Sequence, residues 1–516
     1  MTVLDVREHE EQQLTSPDEE PLILAAIETH SIDVIPDKER HGTIRQQGVF
    51  WFLSNTQTLS VAVGFIGIAL GLSVRWTIAA VVLGNAFGTV FMALHASQGP
   101  RLGLPQMIQS RAQFGYRGVV LPLFLALFTY LIFAVLDTVI ITQGFNQIFG
   151  WNTVVVGVVI AVVAVLLAVY GYDWLHRAFR VLFWVSLPLW LVLTIGILTG
   201  SAGGRPAPHS AFGWIAFFVV FAASASNNIS YAPVVSDYSR YLPRSTPFGR
   251  VVTSVYVGAF LSLSWLAAIG AWLAAHLGAT DALTSVQQAG NHITSGFGTA
   301  LITVATIALV ATMGEMAYSG QLVVLTAIDS IRPIRPTVTK RVVTASVFAT
   351  TWAVLGLAVF HNVTTAVDDG LTLSLYLLTP WTIVNLYDYF FVRKGKYAIT
   401  ELENRKGLYG VWGWRGIAAY VAGFAAAVPF WDLSFYVSPV AKATNGLDIT
   451  FIVELLVSGV LYVIFARSID LSGDAQAIEA SSAKLIQLGI LEPRDRTEPV
   501  QRRSVIAYSS SGELVR

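Results

Sequence analysis

Apolar and polar residues alternate along most of the chain in long blocks. Between residues 48 and 468, twelve apolar stretches are separated by short polar loops. A helix needs roughly 20 residues to cross a bilayer core of about 30 Å, because each residue advances it by about 1.5 Å. We therefore predict an all-α integral membrane protein with twelve transmembrane helices, near residues 48–70, 76–97, 119–143, 152–171, 178–199, 211–235, 251–276, 297–328, 341–360, 370–390, 413–433 and 448–468.

Positive charge is distributed unevenly between the loops. If the N-terminus lies inside, the outward loops hold three basic residues, Arg75, Arg205 and Lys442, whereas the inward loops hold eighteen. Cytoplasmic loops carry an excess of Lys and Arg, so both termini are predicted to be cytoplasmic in a plasma-membrane protein. The polar start lacks the features of a secretory signal peptide, and we expect the first apolar stretch to act as an uncleaved signal anchor.

Composition excludes several classes of protein. The chain has 516 residues, of which 54% are hydrophobic and 12% are charged, against about 25% charged in soluble domains. Its 32 basic and 32 acidic residues give no indication of a nucleic-acid partner. The absence of Cys excludes disulfides and thiolate metal sites. Without a metal-ligand spacing, a P-loop or a nucleophile–base set, we predict neither an enzyme nor a bound metal or cofactor.

Two of the predicted helices are interrupted by polar residues. The first contains Asn55 and Gln57 in the run "SNTQT", and the sixth contains Asn228 followed by Pro233. Asn, Ser and Thr side chains compete for backbone hydrogen bonds, and proline removes a donor. Unwound backbone at membrane depth lines enclosed cavities, and paired interruptions are typical of transporter sites. We predict two broken helices at a binding site; polar helix faces and unrelated kinks are the alternatives.

Two carboxylates lie inside apolar helices. Asp137 follows Phe133 by one turn in the third predicted helix, and Glu315 lies near the middle of the eighth. Ionising an acid at membrane depth is costly unless something compensates. Both residues are therefore candidates for substrate contact or proton carriage, and a structural hydrogen bond to a neighbouring helix is the alternative.

Four separated motifs resemble those of the nucleobase:cation symporter family, the purine–cytosine permeases. They are "IETHSIDVIPDKERHG" before the first helix, "FWFLSNTQTLSVAVGFIGIALGLS" within it, "GPRLGLPQMIQSRAQFGYRG" after the second and "YAPVVSDYSRYLP" at the end of the sixth. The motifs cover nearly the whole membrane part in the right order. The resemblance is closest to the fungal-like purine–cytosine branch rather than to the bacterial hydantoin transporters.

The resemblance implies a LeuT-like fold of five-plus-five helices in an inverted repeat, with two additional C-terminal helices. The corresponding boundaries are an N-terminal tail at 1–47, a transporter domain at 48–468 and a C-terminal tail at 469–516. Within the domain, the repeats are expected at 48–199 and 211–390, and the additional helices at 413–468. The C-terminal tail is expected to form at most one short helix, in "DAQAIEASSAKLIQLGIL".

The resemblance also implies a substrate at mid-membrane between helices 1, 3, 6 and 8. Phe133 and Tyr231 stand where the family often has Trp, Asp137 stands where it often has an amide, and residues 312–316 replace an Asn-rich stretch. These substitutions leave the particular substrate open. The predicted substrate-binding residues are Asn55, Gln57, Phe133, Asp137, Asn228, Tyr231 and Glu315.

These residue types suit a nucleobase, which is flat and carries donors and acceptors along its edge. An aromatic ring can stack on the face of the base, for roughly 1–3 kcal/mol. A carboxylate can accept from an exocyclic amine and a ring N–H, as Asp and Glu do with cytosine. Phe133 and Asp137, one turn apart, supply both contacts.

The coupling ion is predicted to be a proton rather than sodium. Sodium-coupled relatives use two adjacent hydroxyls of helix 8, and the matching positions here are Val310 and Ala311, with Thr312 one place away. A hard cation requires oxygen ligands. The candidate ion-coupling residues are Asp137, Glu315 and, in the sodium alternative, Thr312.

Three charged residues near the predicted cytoplasmic ends are candidates for gating. Arg111, Asp237 and Arg240 are expected to form ion pairs that close or brace this side, and simple positive-inside charge is the alternative. Asp368 and Asp369, ahead of the tenth predicted helix, are interpreted as a solvated turn.

The leading hypothesis is a secondary active importer of nucleobases, cytosine or purines, driven by a proton or sodium gradient. A carrier of the same fold for allantoin, a hydantoin, thiamine or an amino acid is the alternative, and a non-transporting receptor of this fold also remains open. The expected partners are a small-molecule substrate and the lipid bilayer, with no nucleic acid. The sequence leaves the oligomeric state open.

Overall fold

The long apolar stretches of the sequence form the helices of a computed structural model. The structure describes residues 30–207, 211–278, 281–334, 337–358, 363–444 and 446–493. Its helices, numbered in chain order, are α1 Ile44–Ser54, α2 Thr58–Ala69, α3 Val74–Ala96, α4 Gln98–Leu102, α5 Gln106–Gln109, α6 Arg111–Phe114, α7 Val120–Phe149, α8 Thr153–Tyr170, α9 Tyr172–Thr199, α10 Trp214–Ile229, α11 Val235–Ser239, α12 Phe248–Leu277, α13 Ala282–Ile293, α14 Phe297–Ile331, α15 Val338–Ala358, α16 Val363–Tyr387, α17 Trp414–Ala427, α18 Pro439–Ala443, α19 Thr450–Ala466 and α20 Asp474–Gln487.

Each of the twelve predicted stretches contains a helix or a pair of helices. Within the described residues, seven helices are long and apolar enough to cross a membrane singly, and α1 with α2 forms an eighth span bent by 52°. The helices α10 and α19 are apolar but shorter. Two short antiparallel strands, β1 Asp432–Leu433 and β2 Tyr436–Val437, form a hairpin before α18.

The first and sixth spans are broken, as predicted. Helix α1 ends at Ser54, and α2 begins at Thr58 after its N-terminus is capped by Gln57, whose side-chain oxygen accepts from the Leu59 N–H at 2.6 Å. The sixth span is interrupted at 230–234, between α10 and α11. Such breaks leave backbone groups without helical partners, so they require neighbouring protein groups or a ligand.

Glycines bring four spans into backbone contact. A Cβ added at Gly84 or Gly88 of α3 would lie 2.1 Å from a carbonyl oxygen of α10. A Cβ added at Gly64 of α2 would lie 2.0 Å from a carbonyl oxygen of α12, and one at Gly270 of α12 would lie 1.9 Å from a carbonyl oxygen of α2. Small residues permit this close approach between transmembrane helices.

Two parts of the fold differ from the sequence prediction. Helix α16 begins at Val363, so Asp368 and Asp369 lie within a helix and the expected solvated turn was wrong. The Asp369 carboxylate accepts from the Ser434 N–H at 2.8 Å, which gives this acid a protein partner. Helix α13 was not predicted, because its polar residues resemble a loop and its apolar face is narrow. The short helix expected after residue 469 is confirmed as α20.

Candidate substrate site at the broken helices

A small cavity lies where both broken spans meet α7 and α14. Its volume is about 20 Å³, space on the order of one water molecule. A planar base is several times larger, so binding requires the surrounding side chains to move apart. The lining residues come from α7, from the break of the sixth span and from α14: Tyr130, Phe133, Ser230, Tyr231, Val234, Glu315 and Met316.

Aromatic side chains form much of the cavity wall. Tyr130 and Phe133 are three residues apart on α7 and therefore share a face of that helix. Tyr231 comes from the opposite side, and its hydroxyl donates to the main-chain carbonyl of Ser54 at 3.3 Å. Because Ser54 ends α1, this hydrogen bond joins the two helix breaks. The indole of Trp51 meets the Tyr231 ring edge-on, with ring centroids 5.5 Å apart.

Glu315 supplies the cavity with a carboxyl group. It is buried, with 1% of its surface exposed, and Oε2 accepts from the Ser54 hydroxyl at 2.9 Å. Oε1 has no hydrogen-bond partner among the described residues, and the same is true of the Tyr130 hydroxyl. Most buried polar atoms in folded proteins are hydrogen-bonded, so such unpartnered atoms require an explanation. Here both belong to residues that line the cavity.

Asp137 lies one helical turn beyond Phe133 and is fully buried. Neither carboxyl oxygen has a hydrogen-bond partner among the described residues. Asp137 is not among the residues that line the cavity, but both its carboxyl and that of Glu315 interact electrostatically with Tyr231. The acid therefore lies near Tyr231 but does not itself line the cavity.

The predicted residues Asn55 and Asn228 lie in a separate amide cluster rather than at the cavity. The Asn55 side chain donates to the Asn228 side-chain oxygen at 2.9 Å, and Asn228 donates to Asn85 and Thr89 at 2.6 and 2.7 Å. The side chain of Asn227 donates to Asn55 at 3.0 Å. The cluster fastens α1, α3 and α10 together within the membrane region.

Gln57 and Thr312 are also engaged locally. Gln57 caps α2, as described above, and its amide group also donates to the Ser54 carbonyl at 3.4 Å. The Thr312 hydroxyl donates to the Ala308 carbonyl one turn earlier at 3.2 Å, and its side chain is buried. Neither residue lines the cavity.

Arg111 forms a buried ion pair, with a partner that the sequence did not indicate. Its guanidinium donates to the Asp329 carboxylate at 2.8 Å and to the Ser330 hydroxyl at 2.9 Å. It also lies over the Tyr116 ring, 4.3 Å from the centroid. Burial raises the pKa of Tyr116 to about 12, despite the nearby Arg111 charge. This pair joins the start of α6 to the end of α14.

Asp237 and Arg240 connect the sixth span to other segments. Asp237 accepts from the main-chain N–H of Gln106 at 3.0 Å. Arg240 donates to the Asp237 carbonyl at 3.2 Å, to the Ser31 carbonyl at 2.7 Å and to the Tyr318 hydroxyl at 3.1 Å. All three candidate gating residues therefore brace one end of the molecule, on the side of the N-terminal segment.

Sequence reasoning missed part of this bracing. Arg40, within the "ERHG" run, donates to the Pro100 carbonyl at 2.7 Å and to the Ile35 carbonyl at 3.0 Å. Burial lowers the pKa of Arg40 to about 10. It also missed Tyr130 and Ser54 at the cavity. Tyr130 precedes Phe133 by three residues and Asp137 by seven, so its helical face was the available signal.

Comparisons with known proteins agree with this geometry. Residues 34–454 match the sequence model of a family described as permeases for cytosine/purines, uracil, thiamine and allantoin. The chain belongs to this family. It is 34% identical over 458 residues to the putative purine-cytosine permease YxlA of Bacillus subtilis, with 86% of this chain and 96% of YxlA covered. The yeast purine-cytosine permease FCY2 is 24% identical over 259 residues, covering 47% of each chain.

Solved structures show the same fold. Mhp1, a nucleobase-cation-symport-1 family transporter, matches in a closed conformation with bromovinylhydantoin bound at a TM-score of 0.70 and 16% identity, covering 89% of this chain and all of Mhp1. The inward-facing conformation of Mhp1 matches at a TM-score of 0.65 and 17% identity. The family identifies this chain as a multi-pass membrane permease rather than an enzyme, and its fold is that of Mhp1.

Proposed function

We propose that this permease imports a nucleobase, cytosine or a purine, which binds between Phe133 and Tyr231 with its polar edge toward Glu315. The observation that carries this proposal is the set of unpartnered polar atoms around an aromatic cavity at two helix breaks. Tyr130 and Glu315 are among the residues that line the cavity. The Tyr130 hydroxyl, Glu315 Oε1 and both carboxyl oxygens of Asp137 have no hydrogen-bond partner among the described residues. A bound base would supply the missing hydrogen bonds.

The chemistry favours a flat ligand with donors on its edge. Aromatic faces stack on any base, for roughly 1–3 kcal/mol each. Oε1 of Glu315 can accept from an exocyclic amine, while Oε2 stays on the Ser54 hydroxyl. A base at this position would contact the second break directly through Tyr231, and it would be linked to the first break through the hydrogen bonds that Ser54 forms with Glu315 and Tyr231. If the protein opened toward either side of the membrane, the contacts between the bound base and the interrupted spans would change.

We further propose that a proton drives uptake and that Glu315 carries it, with Asp137 as the second candidate. Acids inside a membrane are expensive when charged and are typical of proton relays. Thr312, the remaining hydroxyl of the sodium alternative, donates to its own helix. A sodium site at this position would need Thr312 to turn its oxygen toward the ion.

Uptake of radiolabelled cytosine into cells that express the permease tests the substrate. Unlabelled adenine, guanine, hypoxanthine, uracil, allantoin, thiamine and pyridoxine serve as competitors. We expect saturable uptake that cytosine and purines block. If allantoin, thiamine or pyridoxine inhibits the uptake and the nucleobases do not, the site binds another substrate of this family and the nucleobase proposal is wrong.

Uptake into proteoliposomes tests the ion. We expect an imposed inward pH gradient to drive uptake without sodium, and Thr312→Val to transport like the parent chain. Uptake that requires sodium, ignores the pH gradient and fails in Thr312→Val would contradict proton coupling. Asn152→Ala, at an exposed helix cap, serves as a handling control.

We also propose that both termini are cytoplasmic in a plasma membrane, because the basic residues concentrate on that side. The chain has no Cys, so one introduced Cys provides a unique label. Gly473→Cys, with no atoms near a Cβ at that position, should resist an impermeant maleimide in intact cells. Lys442→Cys, at an exposed position, should react with it. The reverse pattern would invert the proposed topology.

A further inference from the structure

A second and larger cavity lies apart from the substrate site, between the start of α1 and the first turns of α9. Its volume is about 350 Å³, and it forms an open groove. Phe50 and Phe179 make its floor and stack on each other with centroids 4.3 Å apart. The groove lies on the side of the N-terminal segment, which the orientation proposed above places at the cytoplasmic leaflet.

Two basic side chains flank this groove without protein partners. Arg45 and Arg180 both line it and are exposed. Within the described residues, neither guanidinium donates a hydrogen bond or forms an ion pair. Arg111 and Arg240 differ, because both are buried and donate to several protein oxygens. The two groove arginines therefore keep their full capacity to bind an anion such as a phosphate.

A buried histidine faces the same groove. His176 is 6% exposed, and its ring stacks on Phe50 with centroids 4.6 Å apart. Nδ1 lies 3.2 Å from the Tyr172 carbonyl, which can only accept, so Nδ1 carries the hydrogen. In the neutral ring, Nε2 is then an acceptor, and it has no partner among the described residues. Nε2 is itself buried, so a ligand hydroxyl group can donate to it only if the side chains around the ring shift.

The groove continues into an apolar surface along α9. Trp184 lines the groove and is 59% exposed, and Val181 and Val185 beside it are 62% and 45% exposed. Indole rings concentrate at membrane–water interfaces, where one end is wet and the other apolar. From one end of the groove to the other, the surface changes from two arginines and a histidine to apolar side chains of α9.

From this sequence of environments we infer that the groove binds an acidic phospholipid with a hydroxylated headgroup, of the phosphatidylglycerol type. The guanidinium groups of Arg45 and Arg180 hold the phosphate, His176 Nε2 accepts from a headgroup hydroxyl, and the acyl chains lie along Trp184. Basic pockets between transmembrane helices on the cytoplasmic side bind anionic headgroups in this way. The groove and the substrate cavity share no lining residue, although the Ser54 hydroxyl donates both to the Phe50 carbonyl and to Glu315.

Native mass spectrometry of the purified permease, titrated with phosphatidylglycerol or phosphatidylcholine, tests the inference. We expect phosphatidylglycerol to bind at least ten-fold more tightly. The double substitution Arg45→Gln with Arg180→Gln should remove this preference, and His176→Asn should reduce it by less. Soluble glycerol phosphate should compete only weakly, because it lacks the acyl chains.

A matched double variant controls for charge. Arg177 and Arg250 are exposed basic residues outside the groove, so Arg177→Gln with Arg250→Gln should keep the preference. Equal binding of the two lipids, or a preference that survives loss of Arg45 and Arg180, would mean annular lipid only and would overturn the inference. Equal loss in both double variants would also overturn it, because general charge would then explain the binding. Unfolding is checked separately by the melting temperature of each variant.

Discussion

Two buried polar regions lie within this permease, and they differ in how completely their hydrogen bonds are made. In the amide cluster, Asn55, Asn85 and Asn228 donate to one another and to nearby oxygens at 2.6–3.3 Å. At the cavity, Tyr130 and Glu315 each keep an oxygen without a partner among the described residues. In the cluster, the side-chain oxygen and nitrogen atoms of Asn55, Asn85 and Asn228 are all hydrogen-bonded, and Asn227 Oδ1 alone has no partner among the described residues. At the cavity, we expect a ligand to supply the missing partners.

This difference distinguishes buried polar residues that stabilise the membrane region from buried polar residues that bind a ligand. Both regions lie next to helix breaks, and the residue types alone suggest substrate contact for each. Completed hydrogen bonds stabilise helix contacts, whereas unpartnered buried groups cost free energy that a binding partner can recover. We therefore expect substitutions in the cluster to affect stability and substitutions around the cavity to affect transport.

Asn228→Ala tests the structural side and should have the largest effect. It removes hydrogen bonds to Asn55, Asn85 and Thr89, and the expected loss of unfolding free energy is about 2–5 kcal/mol. The measurement is the melting temperature in detergent. Asn152→Ala, which removes an exposed helix cap, is the control and should cost about 1 kcal/mol. Equal melting temperatures in the two variants would show that the cluster is not structural.

Glu315→Gln tests the functional side at the acid. The amide oxygen can still accept from Ser54, but the side chain can no longer exchange a proton, so uptake should fall roughly 10- to 100-fold and lose its response to a pH gradient. Glu454→Gln is the control, because Glu454 on α19 is buried, has no hydrogen-bond partner in the described part of the chain and does not line the cavity. Unchanged pH-driven uptake in Glu315→Gln would refute a proton role for this residue.

Asp137→Asn tests whether the second acid selects the base. Exchanging an acceptor for a mixed donor and acceptor should change the ratio of cytosine to purine inhibition constants by about 10-fold, as a good bidentate contact is worth about 1–3 kcal/mol. Asp137→Ala should abolish binding. If both variants compete like the parent chain, Asp137 plays no part in recognition.

Phe133→Leu tests stacking. It keeps an apolar side chain but removes the ring, and the expected loss of about 1–3 kcal/mol would raise the KM by about 5- to 150-fold with little change in melting temperature. Phe128→Leu, at a residue 38% exposed on the same helix, is the matched control. A KM equal to that of the control would exclude Phe133 from the substrate face.

Removing the hydrogen bond between His41 and Asp173 should have the smallest effect on stability, and it provides a control for the pH experiments. Burial alone would lower the pKa of His41, but the Asp173 carboxylate and the Glu39 carbonyl outweigh it and raise the pKa. A raised histidine pKa adds stability below its ordinary value of about 6.5, and that stability is lost as pH rises through the raised value. The pair is exposed, so the gain is below about 1 kcal/mol.

The difference in melting temperature between pH 5.5 and pH 8.5 measures this contribution. Asp173→Asn should flatten the difference without altering pH-driven uptake. If Asp173→Asn instead removed the pH response of uptake, the pH dependence would belong to the N-terminal segment and not to the cavity.

The sequence predicted the positions of the helices and of the two helix breaks, but it did not predict which way several polar side chains face. The polar runs around Asn55 and Pro233 interrupt a 3.6-residue apolar pattern, and both breaks occur where they were predicted. Whether Asn228 faces the cavity or α3 depends on the neighbouring helices, which no local pattern encodes. Arg111 was correctly expected to form an ion pair, but its partner Asp329 lies 218 residues away.

The glycine contacts described above determine which parts of the permease can slide. Where Gly64, Gly84, Gly88 and Gly270 rest on carbonyl oxygens, a shift of one residue along either helix would drive a side chain into the backbone. These contacts therefore hold α2 in register with α12, and α3 in register with α10. We therefore expect sliding during a transport cycle to occur outside these two helix pairs, and the helices α7 and α14, which line the cavity, lie outside both pairs.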